Sequence, residues 1–97
     1  MFSVKFTDAA KDDFGYFPKS QQKLILDEAA KQLTYQPEVE TKNRKKLREN
    51  PLASYELQLD AIRVFYNIYA VEQMVDIVAV GRKEHNELYI KGRKVKI

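Results

Sequence analysis

Arg63, Arg82, Lys83 and His85 are side chains suited to gripping and transforming a phosphodiester. Guanidinium and ammonium groups hold phosphate oxygens, and imidazole is the side-chain type that changes charge near neutrality. His85 is the only histidine, and the chain has no cysteine, so a thiolate nucleophile, a disulfide framework and a cysteine-ligated zinc are excluded. The net charge is only +3, but it is unevenly spread. Residues 42–48 (KNRKKLR) carry five positive charges and no negative one, and residues 82–96 carry six positive against two negative. Residues 49–81 between them carry one positive against five negative. Two basic blocks around an acidic middle suggest a surface facing a polyanion, of which nucleic acid is the commonest. A solvated helix end and a loose tail would give the same counts. In the first block, Arg44, Lys45, Lys46 and Arg48 are candidates for nucleic-acid phosphate contacts that add affinity without sequence information.

These residues need elements to position them. With 97 residues, no composition break and 44% apolar content, the chain reads as one domain, residues 1–97, burying one modest core. MFSVKF alternates Phe2, Val4 and Phe6 with polar residues, which predicts a strand rather than a secretory signal. No apolar run approaches the length of a membrane span, and a reducing cytoplasm fits the lack of cysteine. Thr7 or Asp8 can cap a short helix running to about Tyr16, which Pro18 interrupts. Ser20 can cap a second, whose stripe is Leu26, Ala29, Ala30 and Leu33, ending before Pro37. The two helices should form a hairpin laid on one face of a sheet. Residues 38–54 read as a polar connection with at most a short helical piece.

The sheet is predicted from YELQL (55–59), IRVFYNIYA (62–70) and MVDIVAV (74–80), all rich in β-branched and aromatic residues. A tight turn at Asp60-Ala61 sets 58 opposite 63, although alanine suits a positive-φ turn poorly. Tyr55, Leu57, Leu59, Ile62, Val64, Tyr66 and Ile68 then share the face toward the helices. Glu56, Gln58, Arg63, Phe65, Asn67 and Tyr69 share the other, which is polar and aromatic together. A turn at 71–73 with residue 70 opposite 74 sets Gly81 opposite Arg63. Arg82, Lys83 and His85 then emerge beside Arg63 at one end of the sheet. Arg63 faces away from the core, so its removal should leave the fold intact. Phe65 and Tyr69 are placed to stack on bases or to be covered by a partner.

The ordered series YELQL, IRVFYNIY, MVDIVAVGRKEHNELY resembles the C-terminal half of the RelE/ParE toxin superfamily. There, a hairpin with an Arg-Val-x-Tyr-like element precedes a Val-x-x-Val-Gly-x-Arg/Lys-like element and a late tyrosine. Lys45-Lys46-Leu47 is similar to the family's lead-in to that hairpin. The resemblance implies an α+β fold, a small antiparallel β-sheet with an N-terminal helix hairpin packed on one face. For the RelE branch it implies a ribosome-dependent messenger RNA endoribonuclease that inhibits translation. In such enzymes the ribose 2′-hydroxyl attacks the adjacent phosphorus, and neither metal nor other cofactor is needed. The other branch inhibits DNA gyrase, and an inactive relative would serve as an antitoxin-binding or DNA-corepressor module. The implied partners are a cognate antitoxin, the ribosome with its messenger RNA, and operator DNA reached through the antitoxin complex. No membrane partner is implied.

By resemblance, Arg63 matches the strand arginine at the reactive phosphate. Lys83 falls where RelE carries a catalytic arginine, and Tyr89 matches the late tyrosine. His85 lies where some relatives use histidine. RelE has two lysines where this chain has Glu56 and Gln58, so its charge arrangement does not transfer whole. Transesterification asks for a base at the 2′-oxygen, positive charge at the phosphorane and an acid at the leaving oxygen. Glu56 or His85 could supply the first, Arg63 and Lys83 the second, and His85 or Tyr89 the third.

Overall fold

The computed structural model describes residues 1–97. In chain order it contains β1 (Ser3–Phe6), α1 (Asp8–Phe14), α2 (Lys19–Leu33), β2 (Arg44–Lys46), β3 (Tyr55–Leu59), β4 (Ile62–Tyr69), β5 (Met74–Glu84), β6 (Glu87–Ile90) and β7 (Arg93–Val95). Strands β2 to β7 follow one another antiparallel across a single sheet, and β1 joins it parallel to β5. No helix is long and apolar enough to cross a membrane.

Thr7 caps α1, its hydroxyl accepting from the Ala10 N–H at 3.2 Å, and the helix closes on Gly15 rather than reaching Tyr16. Helix α2 is capped by Pro18, two residues before the expected Ser20 cap, and the proline ring presets the entry φ. Its buried stripe is Ile25, Ala29 and Leu33, spaced by four residues, and Leu26 is about half exposed. Leu26 lies one residue, about 100°, around the helix from the core-facing line. Both helices cover the face carrying Leu57, Leu59, Ile62, Val64 and Tyr66, where Tyr66 stacks on Tyr55 and donates to the Pro37 carbonyl. Burial pushes the Tyr66 phenol well above its ordinary value.

Three elements depart from the expected layout. The 38–54 connection contains an edge strand, β2, paired Lys45 to Glu56, and the basic tail contributes β6 and β7. The face away from the helices is not open. Phe65 is fully buried there with Ala53, Ala79 and Leu88, flanked by Leu47, Leu52 and Ile90. Gly81 lies under β6, where an added Cβ would sit 2.7 Å from the Tyr89 carbonyl oxygen, so any larger residue must displace that strand.

The hairpin register follows the expected one in β3–β4, with Gln58 opposite Arg63. Asp60, not Ala61, adopts the positive φ, which removes the difficulty with alanine. At the next turn Tyr69, not residue 70, faces Met74. A bulge at Val78 inserts one residue and restores Gly81 opposite Arg63. Such a bulge adds one residue to one strand, so it compensates a one-residue shift at the turn.

The edge of β5 away from β4 pairs with β1 over residues 74–77 and with β6 over 82–84. In the gap, the buried Asp13 carboxylate accepts from the Val80 N–H at 3.1 Å. Asp13→Ala is expected to destabilise the fold by about 1–3 kcal/mol, the cost of a buried orphan donor, measured as a lowered denaturant midpoint. Asp13→Asn keeps an acceptor and should retain most of the stability. Burial raises the Asp13 carboxyl above the ordinary carboxylate range, against the opposing Val80 N–H and Lys91. With the folded value above the unfolded one, this group favours folding most at low pH, and the benefit is lost as pH rises through the folded value. Asp13→Asn should remove that dependence.

Candidate functional site

Alternation along β5 and β6 divides the residues expected to act together. Lys83 faces Leu88 and shares the sheet face of Glu56, Gln58 and Arg63. Arg82 and Tyr89 face each other on the helix side. The Arg82 guanidinium lies 5.1 Å over the Phe17 ring and donates to Gln21 at 2.8 Å, which gives it a structural post between the sheet and the helix connection. Tyr89 donates to Glu87 at 3.0 Å. That bond and the charge behind it raise the phenol above its ordinary value and keep it protonated at neutral pH. His85 stands exposed at the tip of the β5–β6 hairpin, where it and Asn86 take φ of 51° and 65°. Consecutive positive φ values suit the two-residue hairpin turn whose twist matches its strands.

On the face away from the helices, a groove of about 440 Å³ runs between the loop after β2 and the end of β5. Lys45, Arg48 and Lys83 supply positive charge to its walls, and Glu56, Gln58 and Leu88 also line it. Asn50 fixes the loop that carries Arg48. Its amide donates to the Arg48 and Ala53 carbonyls, and its oxygen accepts from the Leu52 and Ala53 N–H groups. A second groove of about 520 Å³ continues past Lys83 to Lys94 and Lys96. Lys83 and Leu88 line both. Lys94 and Lys96 were not singled out by sequence; the short alternation in Arg93-Lys94-Val95, now β7, was the available signal.

The rest of the first basic block points elsewhere. Arg44 donates through Nη1 to the Gln32 carbonyl at 2.6 Å, at the end of α2, where a cation meets the negative end of the helix dipole. It is therefore a helix anchor rather than a phosphate contact. Lys46 pairs with Tyr55 on the helix-side face. Phe65 has no exposed ring to stack on a base.

Glu56 lines the inner side of the first groove and Arg63 lies behind it, with side chains only 7% and 14% exposed. Gln58 donates to Glu56 Oε2 at 2.9 Å. Arg63 Nη1 donates to the Asp60 and Ile62 carbonyls at the β3–β4 turn. Its Nε lies 3.9 Å from Glu56 Oε1, too long for a hydrogen bond and close enough for charge attraction, and makes no other bond. The ion pair that competes with a functional role for Arg63 is thus present. Arg63 is not itself among the side chains lining the groove; Glu56 and Gln58 are.

No protein-family model and no curated protein matches the chain. Solved structures do. A chain of the RelBE toxin–antitoxin complex of Mycobacterium tuberculosis superposes with a TM-score of 0.74 at 22% identity, over 84% of this chain and 91% of that one. The isolated E. coli RelE toxin gives 0.71 at 18% identity, over 88% and 87%. A chain of the RelE–RelB complex of Pyrococcus horikoshii gives 0.69 at 20%, over 87% and 97%. The α+β fold implied by the sequence resemblance is the fold shared with these structures.

Proposed function

We propose that this chain is the toxin of a toxin–antitoxin pair and acts as a messenger RNA endoribonuclease on the ribosome. The observation that carries the reading is the cationic groove of Lys45, Arg48 and Lys83 on the helix-free face of a fold shared with RelE. A single strand laid along it meets positive charge on both walls. The ribose 2′-hydroxyl attacks the adjacent phosphorus, the 5′-oxygen leaves with a proton, and a 2′,3′-cyclic phosphate remains. Lys83 stabilises the phosphorane, and Arg63 adds charge from below through its free Nη2. His85, two residues beyond Lys83 on an exposed tip, serves as the proton donor or acceptor. Tyr89 lies on the opposite face and is given no part in the chemistry.

The proposed partner is a cognate antitoxin, since two of the matched structures are complexes of RelE with RelB or of RelBE. Operator DNA would be reached through that antitoxin. The test is induction of the chain in growing cells with mapping of new transcript ends. Growth arrest with clustered cuts in translated messages supports the reading. Arrest with DNA-damage signalling and intact transcripts replaces it with gyrase inhibition. The separation of Tyr89 from Lys83, together with Glu56 in place of a lysine, favours a second reading as a non-cutting antitoxin-binding module. Arrest-free growth with retained antitoxin binding would select that reading.

Phosphate-led binding should also be salt-dependent. Three contacts to a single strand give a slope of log K against log salt of about −2, and Lys45→Ala should reduce its magnitude by about 0.7. Titration of a fluorescent RNA at several salt concentrations measures both. Affinity that does not change with salt would rule out the groove as the RNA contact.

A further inference from the structure

Glu56 is the one buried carboxylate of the groove, whose lining otherwise carries three cations and the exposed Glu49, and three observations describe its setting. Its Oε2 is held by Gln58, its Oε1 faces Arg63 Nε, and only 7% of its side chain is exposed. Arg63, opposite Gln58 in the register, is gripped on its other side by the Asp60 and Ile62 carbonyls through Nη1. Nη2 makes no hydrogen bond within the chain and is not among the buried polar atoms left without a partner, so it is the uncommitted donor of this guanidinium. Lys45, Arg48 and Lys83 surround the same groove, and their repulsion would push an uncompensated guanidinium away.

We infer that Glu56 is a positioning residue that holds Arg63 behind the groove wall, rather than the base that takes the 2′-hydroxyl proton. This rests on the ribonuclease reading. A base must present a free oxygen to the substrate, and both oxygens of Glu56 are directed at Gln58 and Arg63. A positioning carboxylate needs only the fixed geometry that is present, and its loss lets the guanidinium wander between the turn carbonyls and solvent.

The test is a cycle of Glu56→Gln, Arg63→Ala and the double variant, followed by single-turnover cleavage across pH and by the Arg63 Nε–H signal in nitrogen-15 NMR. Glu56→Gln should slow cleavage by on the order of 10- to 100-fold, as a displacement of about 1 Å does. It should leave the shape of the pH profile unchanged and have no further effect in the Arg63→Ala background. The Arg63 Nε–H signal should shift, because the carboxylate charge 3.9 Å away is gone. A lost acidic limb in the pH profile, or a full additional loss on top of Arg63→Ala, would make Glu56 the base and overturn the inference. An unchanged Nε signal would overturn it as well. If the parent chain does not cut RNA, the ribonuclease reading fails, and the NMR arm still decides whether Glu56 holds Arg63.

Discussion

Lys83→Ala should slow single-turnover RNA cleavage by on the order of 100-fold while leaving the thermal midpoint unchanged. The magnitude is that of removing one preorganised charge from a developing oxyanion. Lys83 is exposed, forms no ion pair within the chain and lines both grooves, so its charge is available to a strand crossing from one to the other. Nothing in the fold depends on it. Lys83→Arg restores the charge and should recover much of the rate, whereas Lys83→Met, of similar length, should not. The assay is a saturating chase on programmed ribosomes with unfolding run alongside. A folded Lys83→Ala protein cutting at the parent rate would take Lys83 out of the reaction and leave only a binding role for the groove.

Arg63→Ala is expected to cost as much in rate, again on the order of 100-fold, but with a loss of stability that Lys83→Ala lacks. Removing the guanidinium strands the Glu56 carboxylate and releases the Asp60 and Ile62 carbonyls. A cost of about 1–3 kcal/mol follows from leaving those acceptors without their donor, while Gln58 still donates to Glu56. Strand alternation led to the expectation that the fold survives this change; the contacts of Arg63 add that it should survive with reduced stability. Arg63 does face away from the helices, but the second apolar layer and the β3–β4 turn enclose it. Rates must be compared at a temperature where both proteins are folded, and equal rates there would exclude Arg63 from the site.

Much of this was legible in the chain because period-two alternation is strong in residues 55–69. It fixed which side chains of β3 and β4 face the helices and set Gln58 against Arg63. Alternation also separates Arg82 from Lys83, yet grouping residues by the end of the sheet rather than by its face joined them. The bulge at Val78 left no mark that distinguishes it from regular strand. It offset a one-residue error at the preceding turn, so the pairing of Arg63 with Gly81 emerged from two compensating deviations. The burial of Phe65 was hidden for another reason. Its neighbours Leu47, Leu52 and Ala53 come from a polar-looking loop whose apolar residues show no period, and Asn50 folds that loop over the sheet by hydrogen bonds that no hydrophobic pattern records. Asp13 carries no sequence signal that sets it apart from Asp8 and Asp12 of the same helix. Its role exists only where two strands meet along one edge of β5.

The parallel pairing of β1 with β5 also governs the order in which the chain can fold. Ser3 lies beside Met74, so this contact closes a loop of most of the chain, whereas β3, β4 and β5 are joined by short turns. Closing long loops costs entropy before any contact rewards it, and topologies rich in such contacts fold slowly. By this argument the meander should form before the N-terminal strand docks, and Asp13 can bond Val80 only once α1 has reached β5. On a ribosome the first residues made are therefore the last to find their place. Until residues 74–77 emerge, Phe2, Val4 and Phe6 have no strand to pair beside.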